Sequence, residues 1–152
     1  MPDITAEQGQ NKAAAGFGQA GEKMKKQILL TDDNTEMREE VSGILEGEGY
    51  EVLTAEDGQE AIDLLGNRFF DLLILDLKMP VKSGYEVLRH MDEALIRVKT
   101  IVLTGNVLVD RYNKAGNALY DEQMRVLQFA DTIMNKPFEI RRLLERIKHY
   151  TS

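Results

Sequence analysis

Five polar residues have side chains that could together form one reactive site. They are Asp32, Asp33, Asp76, Thr104 and Lys136, and each follows a short apolar run. Three carboxylates held together repel one another, by about 4 kcal/mol per pair at about 4 Å and an effective dielectric constant near 20. A bound proton or a divalent cation relieves this repulsion, and Mg²⁺ prefers such oxygen ligands. With a lysine and a hydroxyl alongside, the group suits a phosphoryl group, with an aspartate as nucleophile.

Composition and charge narrow the class of protein. The chain has 152 residues, of which 43% are hydrophobic and 30% charged, as expected for one globular domain. Its net charge is −7, and residues 1–26 hold four lysines and three acids, which leaves −8 on the rest. This acidity argues against direct nucleic-acid binding and against binding to anionic membranes. The absence of cysteine excludes disulfides and thiolate catalysis.

Two further features of the sequence concern location and organisation. No apolar run approaches the roughly 20 residues that span a bilayer, and the N-terminus lacks the apolar core of a secretory signal. We therefore expect a cytoplasmic protein. Residues 1–26 have few large apolar side chains, so we expect a flexible N-terminal arm, linker or tag before a body at 27–152. An alternative is that translation starts at Met24.

The body of the chain alternates between strand-like and helix-like segments. Short apolar runs predict five strands, at Gln27–Thr31, Tyr50–Ala55, Asp71–Leu75, Thr100–Leu103 and Asp131–Asn135. Helical spacing of apolar residues predicts helices at Thr35–Glu48, after a capping-box pattern at Asp57 and Glu60, at Gly84–Ile96, over much of 106–129 with a break near Gly116, and at Glu139–Tyr150.

These five strand–helix units predict an α/β fold with a doubly wound, five-stranded parallel sheet. Nearly continuous apolar strands are typical of a sheet that helices cover on both faces. Right-handed crossovers place helices on both sides. In such sheets the functional site lies at the carboxyl ends of the strands, where the strand order reverses. The five polar residues all fall at predicted strand ends, so the fold would bring them together.

The motifs at these strand ends resemble the receiver domain of two-component response regulators. The resemblance rests on Asp32-Asp33, on Leu73–Pro80 followed by Gly84, on Leu103-Thr104-Gly105, and on Lys136-Pro137-Phe138. It covers roughly residues 27–150, and the motifs occur in the order of the family. It implies the flavodoxin-like strand order 2-1-3-4-5.

The resemblance also implies a role for each acid. Asp76 would be the phosphoacceptor, taking a phosphoryl group from a phosphohistidine on a sensor histidine kinase or a histidine phosphotransfer protein. Asp33, Asp76 and the backbone carbonyl of Lys78 would bind Mg²⁺ directly, and Asp32 would act through a bound water. The domain would catalyse only its own phosphorylation and dephosphorylation.

The remaining implied roles concern the phosphoryl group and the switch. Thr104 and Lys136 would hold the phosphoryl oxygens, with Gly105 in the loop that shifts, and the bond before Pro137 would be cis. The surface of the fourth helix, fifth strand and fifth helix would then change its affinity for a downstream protein target.

Three departures from the family pattern bear on the switch. Thr104 and Lys136 are 32 residues apart, about ten more than expected, so the region 106–129 is predicted to be extended. Ile133 replaces an aromatic residue that often precedes the lysine, which makes it a possible switch position. Gly105 stands where alanine is common.

Three alternatives remain open from the sequence. Small Mg²⁺-dependent phosphatases also use a strand-end aspartate nucleophile, but they usually carry a second aspartate two residues later, where this chain has Lys78. The chain could also be the receiver part of a hybrid histidine kinase. A degenerate receiver would keep the fold but show no Mg²⁺-dependent labelling.

Overall fold

The structure is a computed structural model that describes residues 24–105 and 118–152. The described residues form ten elements that alternate between strand and helix. In chain order they are β1 (Gln27–Thr31), α1 (Thr35–Gly47), β2 (Glu51–Ala55), α2 (Gly58–Asn67), β3 (Leu72–Asp76), α3 (Gly84–Glu93), β4 (Lys99–Thr104), α4 (Ala118–Leu127), β5 (Thr132–Asn135) and α5 (Ile140–Thr151).

The five strands form one parallel sheet in the order β2-β1-β3-β4-β5, which confirms the predicted architecture and strand order. The chain runs outward from β1 to β2 and then returns to β3, so the direction of winding reverses between β1 and β3. The register places Thr31 beside Leu75, and Asp76 beside Leu103. The carboxyl ends of β1, β3 and β4 therefore meet at one edge, at the reversal point where doubly wound sheets bind their ligands.

Apolar side chains fill the space on both faces of the sheet. In β1, Ile28 and Leu30 belong to a buried cluster that also contains residues of α1 and α5. Leu29 belongs to a second cluster, which contains residues of α2, α3 and α4. Because successive strand residues point to opposite faces, both must be apolar when helices cover both sides. This explains the continuous apolar strands that the sequence shows.

Side-chain caps mark the beginnings of α1 and α3. The Asn34 side chain accepts a hydrogen bond from the Met37 N–H at the start of α1. Before α3, Ser83 and Glu86 form a complete capping box, with each side chain bonded to the other residue's N–H. These bonds satisfy amides that the first turn of a helix leaves unpaired.

The predicted capping box at the start of α2 is wrong in its second half. The Asp57 carboxylate accepts from the Glu60 N–H at 2.8 Å, as predicted. The Glu60 carboxylate, however, accepts from the Glu56 N–H, one residue before the cap. The Asp57 backbone is extended, at φ −151° and ψ 170°, and the Glu60 side chain bonds the amide before it.

The predicted end of α3 is also wrong. The helix ends at Glu93, three residues before Ile96, because Leu95 has left-handed backbone geometry with φ of 59°. Leu95 is therefore exposed instead of lying on the inward stripe of the helix. By contrast, α1 ends at Gly47, within one residue of the predicted Glu48, and Gly49 follows with φ of 99°, a conformation in which glycine carries no Cβ penalty.

Several predictions concern residues outside the described ranges. The helix predicted over 106–129 is found from Ala118 to Leu127, while 106–117, including the break near Gly116, lies outside the described residues. The arm at 1–26 is described only from Met24, so the domain boundaries stay predictions. Within 24–105 and 118–152, no helix has the length and hydrophobicity needed to cross a membrane.

Candidate functional site

Asp32 lies just beyond β1 and is held at three points. Its N–H donates to the Ala55 carbonyl at 3.1 Å, which extends the pairing of β1 with β2 by one residue. Its Oδ1 accepts from the Asn34 N–H at 2.9 Å, and its Oδ2 accepts from Lys136 Nζ at 2.7 Å. The Asp32 side chain is fully buried, whereas the neighbouring Asp33 is exposed. The two acids therefore offer one buried and one accessible carboxylate.

Asp76 ends β3 and is buried, and short contacts hold the loop that follows it. The Lys78 N–H points to Asp76 Oδ1 at 3.4 Å, and the Gly84 N–H donates to the Leu77 carbonyl at 2.9 Å. A Cβ atom on Gly84 would lie 2.4 Å from the Asp76 carbonyl oxygen, much closer than Cβ atoms approach their neighbours in proteins. Glycine at this position therefore lets the first turn of α3 approach the backbone of the acid.

Lys136 reaches the acids from the end of β5. Its backbone N–H donates to the Thr104 carbonyl at 2.8 Å, and the Lys136–Pro137 peptide is cis, as the resemblance implies. Its Nζ is 2.7 Å from Asp32 Oδ2 and 3.6 Å from Asp76 Oδ1. One ammonium group thus lies against two buried carboxylates.

The burial of the acids shifts the protonation of the site. Burial and the charge of Asp32 raise the pKa of Asp76 from 3.8 to about 6, although Lys136 and the Lys78 N–H oppose the rise. For Lys136, burial lowers the pKa, but the hydrogen bond that Lys136 donates to Asp32 and the charges of both carboxylates outweigh burial and raise it. The charge of Lys136 therefore does not fully offset the burial of Asp76 and the charge of Asp32.

The donor set fits a hard divalent cation. One carboxylate oxygen from each of Asp32, Asp33 and Asp76 lies within 4.8 Å of the other two. Mg²⁺ selects carboxylate oxygens and usually keeps several waters, and the accessible Asp33 leaves one side of the group open to solvent. The raised pKa of Asp76 supports the same conclusion, because a bound cation would favour the ionised carboxylate against the burial and the Asp32 charge that raise the pKa.

Comparison with known proteins decides the family. Residues 28–148 match the family model described as the response regulator receiver domain, which is most of the chain. The chain belongs to this family. The resemblance that the strand-end motifs indicated is therefore confirmed.

Curated relatives of this receiver domain are response regulators of two-component signalling. The chain is 37% identical over 124 residues to response regulator RR06 of Streptococcus pneumoniae, which covers 80% of the chain and 51% of that protein. It is 36% identical over 121 residues to the cell cycle response regulator CtrA of Brucella ovis, covering 79% of the chain and 47% of that protein. The chain spans about half the length of these relatives.

Solved receiver structures have the same fold. A CheY-like receiver domain protein from Methanospirillum hungatei superimposes with a TM-score of 0.69 at 32% identity, over 84% of this chain and 94% of that one. The response regulator TrrA from Thermotoga maritima, solved in complex with Mg²⁺ and BeF, gives 0.66 at 32% identity, over 82% and 98%. A receiver of similar sequence and fold thus binds Mg²⁺ with BeF.

The structure brings most of the residues predicted for the receiver site together. Distances place Lys136 and the three acids in one group, and Thr104 is buried at the end of β4, where its strand pairs with the residue before Lys136. Gly105 follows as an exposed residue. Ile133 is exposed in the middle of β5, two residues before the end of the strand at Asn135.

Sequence reasoning missed two residues that shape the receiver site, Asn34 and Arg38. Asn34 both caps α1 and donates its N–H to Asp32, and its place before the helical pattern was a signal of an N-cap. Arg38 Nη1 donates to the Asp32 carbonyl at 2.7 Å. Its signal was weaker: a basic residue in the first turns of a helix opposes the helix dipole, so it needs another reason to be there.

Proposed function

We propose that Asp76 accepts a phosphoryl group from a phosphohistidine on a sensor histidine kinase or a histidine phosphotransfer protein. A carboxylate oxygen of Asp76 forms a bond to phosphorus, the phosphorus–nitrogen bond breaks, and its electron pair returns to the imidazole. One observation carries the proposal: Asp76 ends β3 beside Lys136 Nζ at 3.6 Å, in a group with two further acids. Membership of the receiver family supports it.

The same proposal assigns the metal ligands. Asp33, Asp76 and the backbone carbonyl of Lys78 would bind Mg²⁺ directly, and Asp32 would act through a bound water. The exposure of Asp33 and the hydrogen bonds of Asp32 support this division, because both carboxylate oxygens of Asp32 already accept bonds from the protein, from the Asn34 N–H and from Lys136 Nζ. When bound, Mg²⁺ would offset the charge on the phosphoryl oxygens.

The chain's own residues support the transfer in three ways. With a pKa of about 6, Asp76 is mostly ionised at neutral pH and can act as a nucleophile. Lys136 stays charged, because its pKa is raised, and would hold the phosphoryl oxygens. Thr104, at the end of the neighbouring strand, would donate its hydroxyl to them, and Gly105 would let the following loop shift.

Phosphorylation would then act on a downstream protein. The surface formed by α4, β5 and α5, including the possible switch position Ile133, would change its affinity for the target. This shift is limited by the difference in target affinity between the two states. We propose that the protein works in the cytoplasm through protein contacts, without direct nucleic-acid binding and without catalysis beyond its own phosphorylation and dephosphorylation.

Labelling with a small phosphodonor tests the proposal. The full chain is incubated with acetyl phosphate and Mg²⁺, and phosphate incorporation is measured for wild type, Asp76→Asn and the control Asp63→Asn, an exposed aspartate on α2. We expect labelling of wild type and control, and none of folded Asp76→Asn or of wild type in EDTA. Labelling of Asp76→Asn at the wild-type level would refute the assignment. Sustained hydrolysis of a phosphatase substrate would favour the phosphatase alternative instead.

A further inference from the structure

We propose that Arg38 is a positioning residue, which fixes the backbone between β1 and α1 and thereby sets the affinity of the acidic site for Mg²⁺. The inference rests on the proposed function, because it assumes that Asp33 binds the metal. Arg38 lies one turn into α1, and its side chain runs back towards the end of β1. Its side chain is 14% exposed, so the guanidinium is largely enclosed by the protein.

The main contact of Arg38 is with backbone. Its Nη1 donates to the Asp32 carbonyl oxygen at 2.7 Å, a short charge-assisted hydrogen bond. That carbonyl belongs to the planar peptide group that joins Asp32 to Asp33. Fixing its oxygen therefore fixes the direction in which the chain enters Asp33, the acid that is exposed to a hydrated ion.

The other hydrogen bonds of Asp32 do not fix the orientation of the peptide group between Asp32 and Asp33. The Asp32 N–H is bound to Ala55 at 3.1 Å, and its carboxylate is bound by Asn34 and Lys136. These contacts hold the amide before Asp32 and its side chain. Among the described residues, Arg38 holds the peptide group on the Asp33 side.

A second end of the guanidinium links two loops of the site. Arg38 Nη2 is 3.9 Å from Glu56 Oε1, and 3.3 Å from Thr35 Oγ1. Glu56 follows β2, so Arg38 bridges the loops that leave β1 and β2. The Glu56 side chain is 68% exposed, and exposed ion pairs contribute little. Glu56→Gln is therefore a matched control that removes the ion pair and leaves the carbonyl bond in place.

A positioning role and a purely electrostatic role of Arg38 predict opposite changes in Mg²⁺ affinity when the side chain is removed. A guanidinium beside the acids repels a divalent cation, so its removal would tighten Mg²⁺ binding if charge alone mattered. If Arg38 positions Asp33, its removal weakens binding, because the ligand must then be ordered when the ion binds. Changing the partners that orient metal ligands typically costs 10- to 100-fold in affinity.

Titration calorimetry with MgCl₂ on the full chain separates these cases. We expect about tenfold weaker Mg²⁺ binding in Arg38→Met, a smaller loss in Arg38→Lys, and a change of less than about twofold in Glu56→Gln. Thermal unfolding in EDTA checks that each variant is folded. If Arg38 had only a structural role, Arg38→Met would lower the Tm, and Arg38→Lys would not restore part of the Mg²⁺ affinity.

The outcomes are distinguishable. Mg²⁺ affinity in Arg38→Met equal to or tighter than wild type overturns the inference while the proposed function stands. If Arg38→Met does not fold, Arg38→Lys decides alone: weaker binding supports the inference, and equal or tighter binding overturns it. Wild-type protein that binds no Mg²⁺ overturns both the inference and the proposed metal site.

Discussion

Removing the Asp76 carboxylate should stabilise the metal-free protein at neutral pH. Its pKa rises from 3.8 to about 6 because burial and Asp32 disfavour its charge. Each pKa unit corresponds to about 1.36 kcal/mol, so the ionised carboxylate costs the fold about 3 kcal/mol. We therefore expect Asp76→Asn, which cannot ionise, to raise the free energy of unfolding by about 3 kcal/mol at pH 7 in EDTA.

The pH dependence of this effect has a definite sign. Between about pH 4 and 6 the folded protein holds the Asp76 proton more tightly than the unfolded chain does, so wild-type stability falls as pH rises. Below the unfolded pKa of 3.8 both states are protonated and the penalty vanishes. The stability difference between Asp76→Asn and wild type should therefore be near zero at about pH 3, below the unfolded pKa, and reach its full value above the folded pKa.

Urea unfolding across this pH range measures the effect. The control Asp63→Asn removes an exposed carboxylate on α2 and should match wild type within about 0.5 kcal/mol. Adding Mg²⁺ should stabilise wild type and narrow its gap to Asp76→Asn, because ligands stabilise the state that binds them. A destabilised Asp76→Asn at pH 7, or a difference that does not change with pH, would refute the electrostatic reasoning.

Two further predictions concern the supports of the site. Gly84→Ala should lower the free energy of unfolding by about 3 kcal/mol, because the new Cβ would lie 2.4 Å from the backbone oxygen of Asp76. The control Gly105→Ala should change it by less than about 0.5 kcal/mol, since its Cβ meets no described atom within 4 Å. Equal urea midpoints for the two variants would contradict this prediction. Lys136→Met should lower the free energy of unfolding by about 2 kcal/mol at pH 7, because it leaves the buried Asp32 charge without its ammonium partner. The loss is smaller than for a fully buried ion pair, because the Lys136 side chain is 31% exposed. Lys136→Arg is the control in the same denaturation assay, and a Lys136→Met curve that superimposes on wild type would refute the claim.

The sheet and the main acids could be predicted because their signals are local and mutually consistent. Each strand is a short apolar run, and Asp32, Asp76, Thr104 and Lys136 stand at the ends of such runs. A doubly wound parallel sheet brings these ends to one edge whatever the details of its loops. The strand order itself came from the resemblance to a family, because apolar patterning does not specify which strands pair.

The errors arose where backbone geometry overrides side-chain pattern. Leu95 continues the apolar spacing of α3, yet its left-handed backbone ends the helix first. Glu60 stands at the capping-box position, yet its side chain bonds the N–H of Glu56. The role of Arg38 could not be predicted from the sequence, because its partner is a backbone carbonyl, and side-chain spacing does not indicate such contacts.

Locating the phosphoryl group within the chain tests the central claim most directly. After labelling with acetyl phosphate and Mg²⁺, the protein is reduced with borohydride, which converts an aspartyl phosphate to homoserine, and its peptides are sequenced by mass spectrometry. The proposed function predicts homoserine at position 76 and unmodified aspartates at Asp32 and Asp33. Homoserine at either of those positions, or none anywhere in protein that binds Mg²⁺, would contradict it.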